Sequence, residues 1–372
     1  MHFTIERADL LKTLAHVQSV VERKNTIPIL QNVCLNADKG RLLITGTDMD
    51  MEIVEAAPCA VTLAGLTTVS AHTLYDIVRK LPEGAQVDIK AVDGGQIAIT
   101  CGRSRFKLAC LPAADFPSFM GGDFTHNFSM PAATLRRLID RSRFAISTEE
   151  TRYYLNGIYL HIAKGTDGPM LRAVATDGHR LARVDCIAPE GAPGMPGIIV
   201  PRKTVIELRK LLDDAGESLV TVHLNDSKIR VDLGELVLTS KLIDGTYPDY
   251  ERVVPMSNDK TLEVERGALA AATDRVSAIS NERSRALKLE CAGPLITLTA
   301  TSAEAGTAVE EVEAKLAGDA ITIGFNAKYL VEILDQVTGD IARFALTDGG
   351  GPALITDPTD EHALFVLMPM RV

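Results

Sequence analysis

The residues best placed for chemistry are Asp177 and His179 in ATDGHRL (175–181), an acid and an imidazole close enough in sequence to orient a proton transfer. Such a relay needs something to act on, and no nucleophile motif of the GxSxG type occurs anywhere in the chain. The same pattern recurs in GTDMDME (46–52), where Thr47-Asp48 stands without the histidine, and this favours a structural turn over a catalytic pair. An enzyme working through an Asp177/His179 cleft, on nucleotides for example, is the alternative reading. Asp348-Gly349-Gly350-Gly351 has the glycines of a phosphate cradle, but no Lys-Ser/Thr follows and no helix opens there, so a hairpin tip is expected. DPTDE (357–361) lacks the length and the central glycine of a calcium loop. Six cysteines, at 34, 59, 101, 110, 186 and 291, form no CxxC pair, and no His pair accompanies them. Neither zinc nor any other cofactor is therefore expected, and the thiols suit small core positions in a reducing compartment.

The elements that carry these residues repeat. FTIERADLLKTLAHVQSVV (3–21), FSMPAATLRRLIDRSRFAIS (128–147) and LEVERGALAAATDRVSAIS (262–280) each open with a short apolar alternation and enter a helical pattern, with Leu10, Leu135 and Leu269 in register. VSAHTLYDIVRKL (69–81), VPRKTVIELRKLL (200–212) and FNAKYLVEILDQV (325–337) form a second set, each running from strand through a capping residue into an amphipathic helix. Behind each comes a pair of strands around a polar turn: Asp93-Gly94-Gly95, Asn225-Asp226-Ser227, and Asp348 to Gly351. Three copies of one unit account for the 372 residues, joined by Pro/Gly/polar stretches at 114–127 and 248–259. Two helices and roughly six to eight strands per copy, mostly in hairpins, predict an α+β arrangement with helices on one face of antiparallel sheet.

Composition is ordinary for a globular chain, with 46% hydrophobic and 24% charged residues, which excludes disorder, collagen and coiled coil. No apolar run is long enough to span a membrane, and Glu6 and Asp9 stand where a signal peptide needs a basic and then uncharged start. A cytoplasmic protein without membrane contact is expected. The formal charge of −10 argues at first against nucleic acid. The helices run the other way. TLRRLIDRSR (134–143) carries Arg136, Arg137, Arg141 and Arg143 against Asp140, and the 200–212 segment carries Arg202, Lys203, Arg209 and Lys210 against Glu207. Arg7, Lys12, Arg23, Lys24, Arg79, Lys80, Arg275, Arg283 and Arg285 continue the bias on or beside other helices. Cationic helices in an acidic chain suit a protein that draws phosphate to one face, with Arg136, Arg137 and Arg209 as helix-face candidates. With no Trp, and no aromatic residues interleaved with arginine, binding would read backbone charge without base sequence.

Taken together, TIPIL (26–30), GTDMDME (46–52), LPEGA (81–85), GRSRF (102–106), LPAADFP (111–117), RYYLNG (152–157), ATDGHRL (175–181), IVPRK (199–203), TSKLIDG (239–245), YPDY (247–250), SNE (280–282), GFN (324–326) and MPMR (368–371) resemble the bacterial beta sliding clamps, the DNA polymerase III beta subunit family, from end to end. The resemblance implies a DNA-clamp fold of three tandem, structurally similar domains, 1–124, 125–255 and 256–372, closing as a head-to-tail homodimeric ring around double-stranded DNA. It implies no catalysis. Its partners would be the polymerase III alpha subunit, clamp-loader subunits and other proteins carrying a clamp-binding motif; no P-loop in this chain could power loading. By resemblance, Leu155, Thr176, Gly178, His179, Arg180, Leu181, Pro248, Arg252, Val253, Val366, Met368, Pro369 and Met370 form a peptide groove. Arg23, Lys24, Arg152, Tyr153, Tyr154, Arg202 and Lys203 would meet DNA, while Phe106 and Leu108 would meet the other protomer near Ala278 and Ile279. Glu149 and Glu150 stand where the family often has less acidic residues. From the residues themselves, two methionines flanking a proline near the chain end suit either a buried last strand or an adaptable groove.

Overall fold

Local turn chemistry fixes the strand pairs in this computed structural model, which describes residues 1–117, 123–166, 168–280 and 285–372. Arg283 and the Asn281-Glu282 of the SNE motif lie outside the described residues, as does part of the 114–127 join. At the first polar turn Gly94 and Gly95 take φ of 82° and 66°, the left-handed conformation that a tight hairpin requires. At the second, the Asn225 side chain accepts from the Ser227 and Lys228 amides, and at the third Asp348 accepts from those of Gly350 and Gly351. All three are hairpin tips, as the sequence leads one to expect.

The first third of the chain runs β1 (His2–Glu6), α1 (Arg7–Val17), β2 (Asn32–Asp38), β3 (Arg41–Thr47), β4 (Met51–Pro58), β5 (Ala60–Leu63), β6 (Gly65–Ser70), α2 (Ala71–Lys80), β7 (Gln86–Val92), β8 (Gln96–Cys101) and β9 (Ser104–Ala109). The middle third runs β10 (His126–Pro131), α3 (Ala132–Asp140), β11 (Gly157–Gly165), β12 (Gly168–Thr176), β13 (Arg180–Ile187), β14 (Ile198–Pro201), α4 (Arg202–Ala215), β15 (Leu219–Leu224), β16 (Lys228–Leu233) and β17 (Leu236–Lys241). The last third runs β18 (Lys260–Glu265), α5 (Arg266–Ser277), β19 (Ala286–Ala292), β20 (Leu295–Ser302), β21 (Gly306–Ala317), β22 (Ile321–Asn326), α6 (Ala327–Leu334), β23 (Ile341–Leu346), β24 (Ala353–Asp357) and β25 (Asp360–Leu367). Two helices per third among antiparallel strands make the chain α+β.

By contact, the chain separates into two compact units, and the middle third is shared between them. One unit comprises residues 1–136, 189–196 and 203–242. It holds a five-stranded sheet ordered β5-β1-β7-β8-β9 and an eight-stranded sheet ordered β10-β15-β16-β17-β4-β3-β2-β6. The other comprises 137–188, 197–202 and 243–372, with a twelve-stranded sheet ordered β14-β11-β12-β13-β25-β24-β23-β18-β21-β20-β19-β22. The joins β17·β4 and β13·β25 are regular antiparallel ladders, so strands from neighbouring thirds pair edge to edge.

Helices cover these sheets through apolar stripes. Leu10, Leu14 and Val17 of α1 are fully buried over β3 and β4. The approach is close: a Cβ at Gly46 would lie 2.7 Å from Val17 Cγ1 and 2.9 Å from its carbonyl oxygen. In the second unit α5 buries Leu269, Ala272 and Val276 against β20 and β21 and packs beside α6, whose first turn Asn326 caps by accepting from the Tyr329 amide at 3.2 Å. Among the described residues no helix is long and apolar enough to cross a membrane.

Part of the helical charge is structural. Arg7 donates to the Val78 and Arg79 carbonyls at the end of α2. Of the arginines in 134–143, Arg137 and Arg141 turn toward Asp360 at the start of β25, where Arg141 is buried and also donates to the Gln336 carbonyl at 2.6 Å. A guanidinium held off from water needs that carboxylate, and sequence position alone did not reveal it. Arg137 adds a 2.5 Å bond to the Asp185 carbonyl.

His16, near the end of α1, joins Glu55 of β4 and Asp214 of α4, one ring nitrogen to each at 2.8 Å. Burial works against the imidazolium, but the two carboxylates outweigh it and the pKa is raised. Protonated His16 therefore stabilises the fold fully below the unfolded value of about 6.5, and that stabilisation fades as pH rises through the raised folded value. Thermal melts taken at about pH 6 and about pH 8.5 should show a fall in midpoint that His16→Asn reduces; an identical fall in the variant would exclude this linkage.

Candidate functional site

The Thr-Asp motif is a turn built twice. Thr47 Oγ donates to the Met51 carbonyl at 2.8 Å, and Thr176 Oγ donates to the Arg180 carbonyl at 2.7 Å. Asp48 accepts from the Asp50 and Met51 amides, and Asp177 from those of His179 and Arg180. The intervening Met49 and Gly178 take φ of 79° and 87°. The second oxygen of Asp177 goes to the Arg180 guanidinium, so the carboxylate serves the turn and Arg180, and His179 stacks its exposed ring on Tyr329 instead. This is the geometry of an Asx turn, with no acid–imidazole relay.

Beside the second turn lies an apolar cluster in which Leu155, Val174, Leu181, Ile199, Tyr247, Tyr250 and Val366 are buried. Tyr154, Tyr159, Ile243, Val254, Leu354 and Leu364 pack partly buried against it. Strand pairing brings the members together: Leu181 of β13 faces Val366 of β25, which in turn faces Leu354 of β24. Tyr159 and Tyr247 stack at 4.7 Å with their planes 7° apart, and burial pushes the Tyr247 hydroxyl well above the usual phenol range. Around this floor stand exposed groups: Gly178, His179, Pro248, Arg252, Val253 at 47% and Met368 at 38%. Of the residues expected in a groove, Leu155, Leu181 and Val366 form its base, Thr176 spends its hydroxyl on the turn, and Pro369 and Met370 follow the last strand half-buried.

Arg180 has another position. It is buried, sits between the rings of Phe144 and Tyr329 at 5.0 and 4.3 Å, pairs with Glu332 of α6, and donates to the Phe144 carbonyl at 2.6 Å. It ties the turn to α6 from beneath. Behind the cluster, Arg172 donates twice to Asp185, at 2.8 and 2.9 Å, and once each to the Tyr250 hydroxyl and Glu251 at 3.1 Å. Burial holds the His161 pKa below its ordinary value, so a neutral ring faces the Tyr250 hydroxyl at 2.9 Å. The network fixes the short 3-10 turn Tyr250–Val253 that presents Arg252 and Val253.

Tyr247, Tyr250, Val174 and Ile199 were not among the expected site residues. The YPDY motif contains both tyrosines, but nothing in its spacing tells which rings turn inward. Tyr154, expected at DNA, lies against the cluster, while Tyr153 stays 54% exposed with its ring edge-on at 5.7 Å. Arg152 pairs with Glu149 at 3.2 Å and reaches over Gly178, where its Nη1 would come within 3.0 Å of a Cβ.

The remaining cations divide by partner. Arg23, Lys24 and Arg202 are exposed. Lys203 binds Asp48 and approaches Glu22 at 3.9 Å, and Arg136 and Arg209 both pair with Asp213. Partly exposed pairs of this kind hold a side chain weakly, at about 1 kcal/mol or less. Among the described residues no group of His, Cys, Asp and Glu could hold a metal ion. Burial pushes the Cys34, Cys186 and Cys291 thiols up to about 11, which keeps them protonated and inert.

Among the described residues, β5, β6, β9, β10, β14 and β22 end their sheets and part of β21 runs past its neighbour; the edges of β9 and β21 carry contrasting side chains. β9 pairs only with β8, and its half-buried Phe106 and Leu108 alternate with exposed Arg105 and Lys107. In β21, residues 306–313 pair with β20 alone, and only 314–317 also meet β18. Glu310 and the exposed Glu311 and Glu313 mark that open half, with Glu310 held by Arg275. Ala278 is exposed and Ile279 half-buried at the end of α5.

Comparison with known proteins gives one answer over the whole chain. The profile for the DNA polymerase III beta subunit N-terminal domain matches residues 1–120, that for the central domain 129–249, and that for the C-terminal domain 251–371. The chain is 50% identical over 373 residues to the beta sliding clamp of Caulobacter vibrioides and 40% identical over 375 residues to that of Escherichia coli, covering 100% of both sequences in each case. Among solved structures, it superposes on the Caulobacter crescentus beta sliding clamp with bound polyethylene glycol at a TM-score of 0.97, with 50% identity, over 100% of this chain and 99% of that one. A Bartonella birtlesii sliding clamp bound to griselimycin gives 0.97 at 47% identity with both chains fully covered. The chain belongs to the DNA polymerase III beta subunit family, the bacterial beta sliding clamps.

Proposed function

We propose that this chain acts as a non-catalytic processivity subunit of DNA polymerase III. Two copies close head to tail into a ring around duplex DNA and tether the replicative polymerase through the groove beside the Thr176–Arg180 turn. The observation that carries this reading is the pair of open edges, one flanked by Arg103, Arg105 and Lys107 and the other by Glu310, Glu311 and Glu313. Each edge lacks a main-chain partner, and each offers what the other needs: opposite charge, and apolar groups in Phe106 and Leu108 on one side and Val309, 59% exposed, on the other. A heterologous contact of this kind closes into a ring when the second copy returns the same contact.

In this reading the chain divides as 1–124, 125–255 and 256–372, and Ala278 and Ile279 flank the contact. Arg23, Lys24, Arg136, Arg152, Tyr153, Arg202, Lys203 and Arg209 face the sugar–phosphate backbone without reading sequence, and Arg137 contributes at most its half-exposed edge beyond Asp360. The groove accepts short apolar segments of the polymerase alpha subunit, of clamp-loader subunits and of other proteins with the same motif, in the cytoplasm. An apolar floor with a methionine rim adapts to several such segments. Tethering raises the local concentration of the polymerase at the primer end without any new chemistry.

Two measurements test this reading. Arg105→Glu combined with Lys107→Glu should weaken self-association by about tenfold or more in sedimentation velocity, and adding Glu311→Lys should restore part of it; unchanged association would place the contact elsewhere. Deleting 368–372 should weaken binding of a labelled polymerase alpha-subunit peptide by about tenfold in fluorescence polarisation while dimerisation persists. Full peptide affinity in the truncated protein would move the groove away from the tail.

A further inference from the structure

The rim of the groove depends on a segment with no secondary structure of its own, and two main-chain bonds hold it. After β25 ends at Leu367, the Met368 amide donates to the His179 carbonyl at 2.9 Å, and the Met370 amide donates to the Gly324 carbonyl at 2.8 Å. The first bond extends the β13·β25 ladder by one step. The second is an isolated antiparallel bridge to β22, so Met368-Pro369-Met370 is pinned at both ends. Proline at the centre lacks an amide and has a fixed φ, which lowers the entropy lost in holding the segment straight.

Gly324 is buried and already paired through its other side to Lys288 of β19. A Cβ there would stand 2.4 Å from the Met370 carbonyl oxygen and 2.5 and 2.8 Å from the two Val372 methyls. The valine methyls can swing away, but a main-chain oxygen can move only with the tail, and β22 itself is held by its ladder with β19 and by the full burial of its own Ile323 and Phe325. The tail must yield before the strand does.

We infer that Gly324 is a positioning residue for partner binding: its missing side chain is the socket that seats Met370 and so sets the Met368-Pro369-Met370 rim against the apolar floor. The inference rests on the groove reading above and adds a residue that touches no partner. Seating the rim beforehand spares a partner peptide the cost of ordering it.

The test uses the full-length protein with Gly324→Ala, and Gly46→Ala as a control whose Cβ would meet Val17 at 2.7 and 2.9 Å in the other unit. Hydrogen exchange at the Met370 amide and polarisation with the labelled polymerase peptide are read together. Gly324→Ala should lose protection at Met370 and bind peptide on the order of tenfold more weakly, with dimerisation intact, whereas Gly46→Ala changes neither. Retained protection at Met370, or lost protection with full peptide affinity, would overturn the inference. Equal weakening in both variants would do the same, because it would reduce the effect to general destabilisation. Should the unaltered protein bind no peptide, the groove reading itself fails, while exchange at Met370 still decides whether Gly324 seats the tail.

Discussion

An unpaired strand edge must be answered, because a row of main-chain donors and acceptors will pair with whatever chain arrives. Most of this chain's strands answer within the fold, through hairpins and through the β17·β4 and β13·β25 ladders that join successive thirds. β9 and the first eight residues of β21 are among those that do not, and they differ in charge. Cations on one edge and carboxylates on the other make each a poor partner for its own kind and a good one for the other. Specific pairing between copies is the outcome that satisfies both edges, and the proposed ring follows from it.

Topological linkage would relieve the protein of any need to grip. Lys203, Arg136, Arg209 and Arg152 are already engaged with carboxylates of the same chain. In the proposed ring a phosphate would have to compete for each, which would keep single contacts weak and exchangeable. The acidic balance of the whole chain fits the same economy, since the attraction is confined to a few helices and loops. The groove uses the opposite strategy. Its floor is apolar and buried, its turn is over-determined by side-chain hydrogen bonds, and Arg180 bolts that turn to α6, so a partner bound there would meet a preformed surface.

What the sequence made legible was local. Asp93-Gly94-Gly95, Asn225 and Asp348 announce hairpin tips because the chemistry that closes them lies within four residues, and the duplicated Thr-Asp turn reads as structural for the same reason. The threefold recurrence of helix and hairpin gave the architecture. Long-range pairing was not legible. Arg137 and Arg141 read as surface cations, yet their partner Asp360 comes from the last strand. Arg180 lies in the groove motif but points into a slot formed by Phe144 and Tyr329. Tyr247 and Tyr154 could not be sorted between core and surface, because an aromatic ring suits either. Nothing in the repeat pattern indicates that the middle third splits its strands between two sheets, since that depends on which edges meet.

Retention on DNA of differing topology tests the central claim most directly. The protein is assembled on a nicked circular plasmid with a clamp loader and ATP, passed through a sizing column at moderate salt, and the DNA is then linearised by a single cut. Encirclement predicts that protein elutes with the circle and is lost once the ends are free. Equal retention on both forms, or equal loss from both, would contradict it.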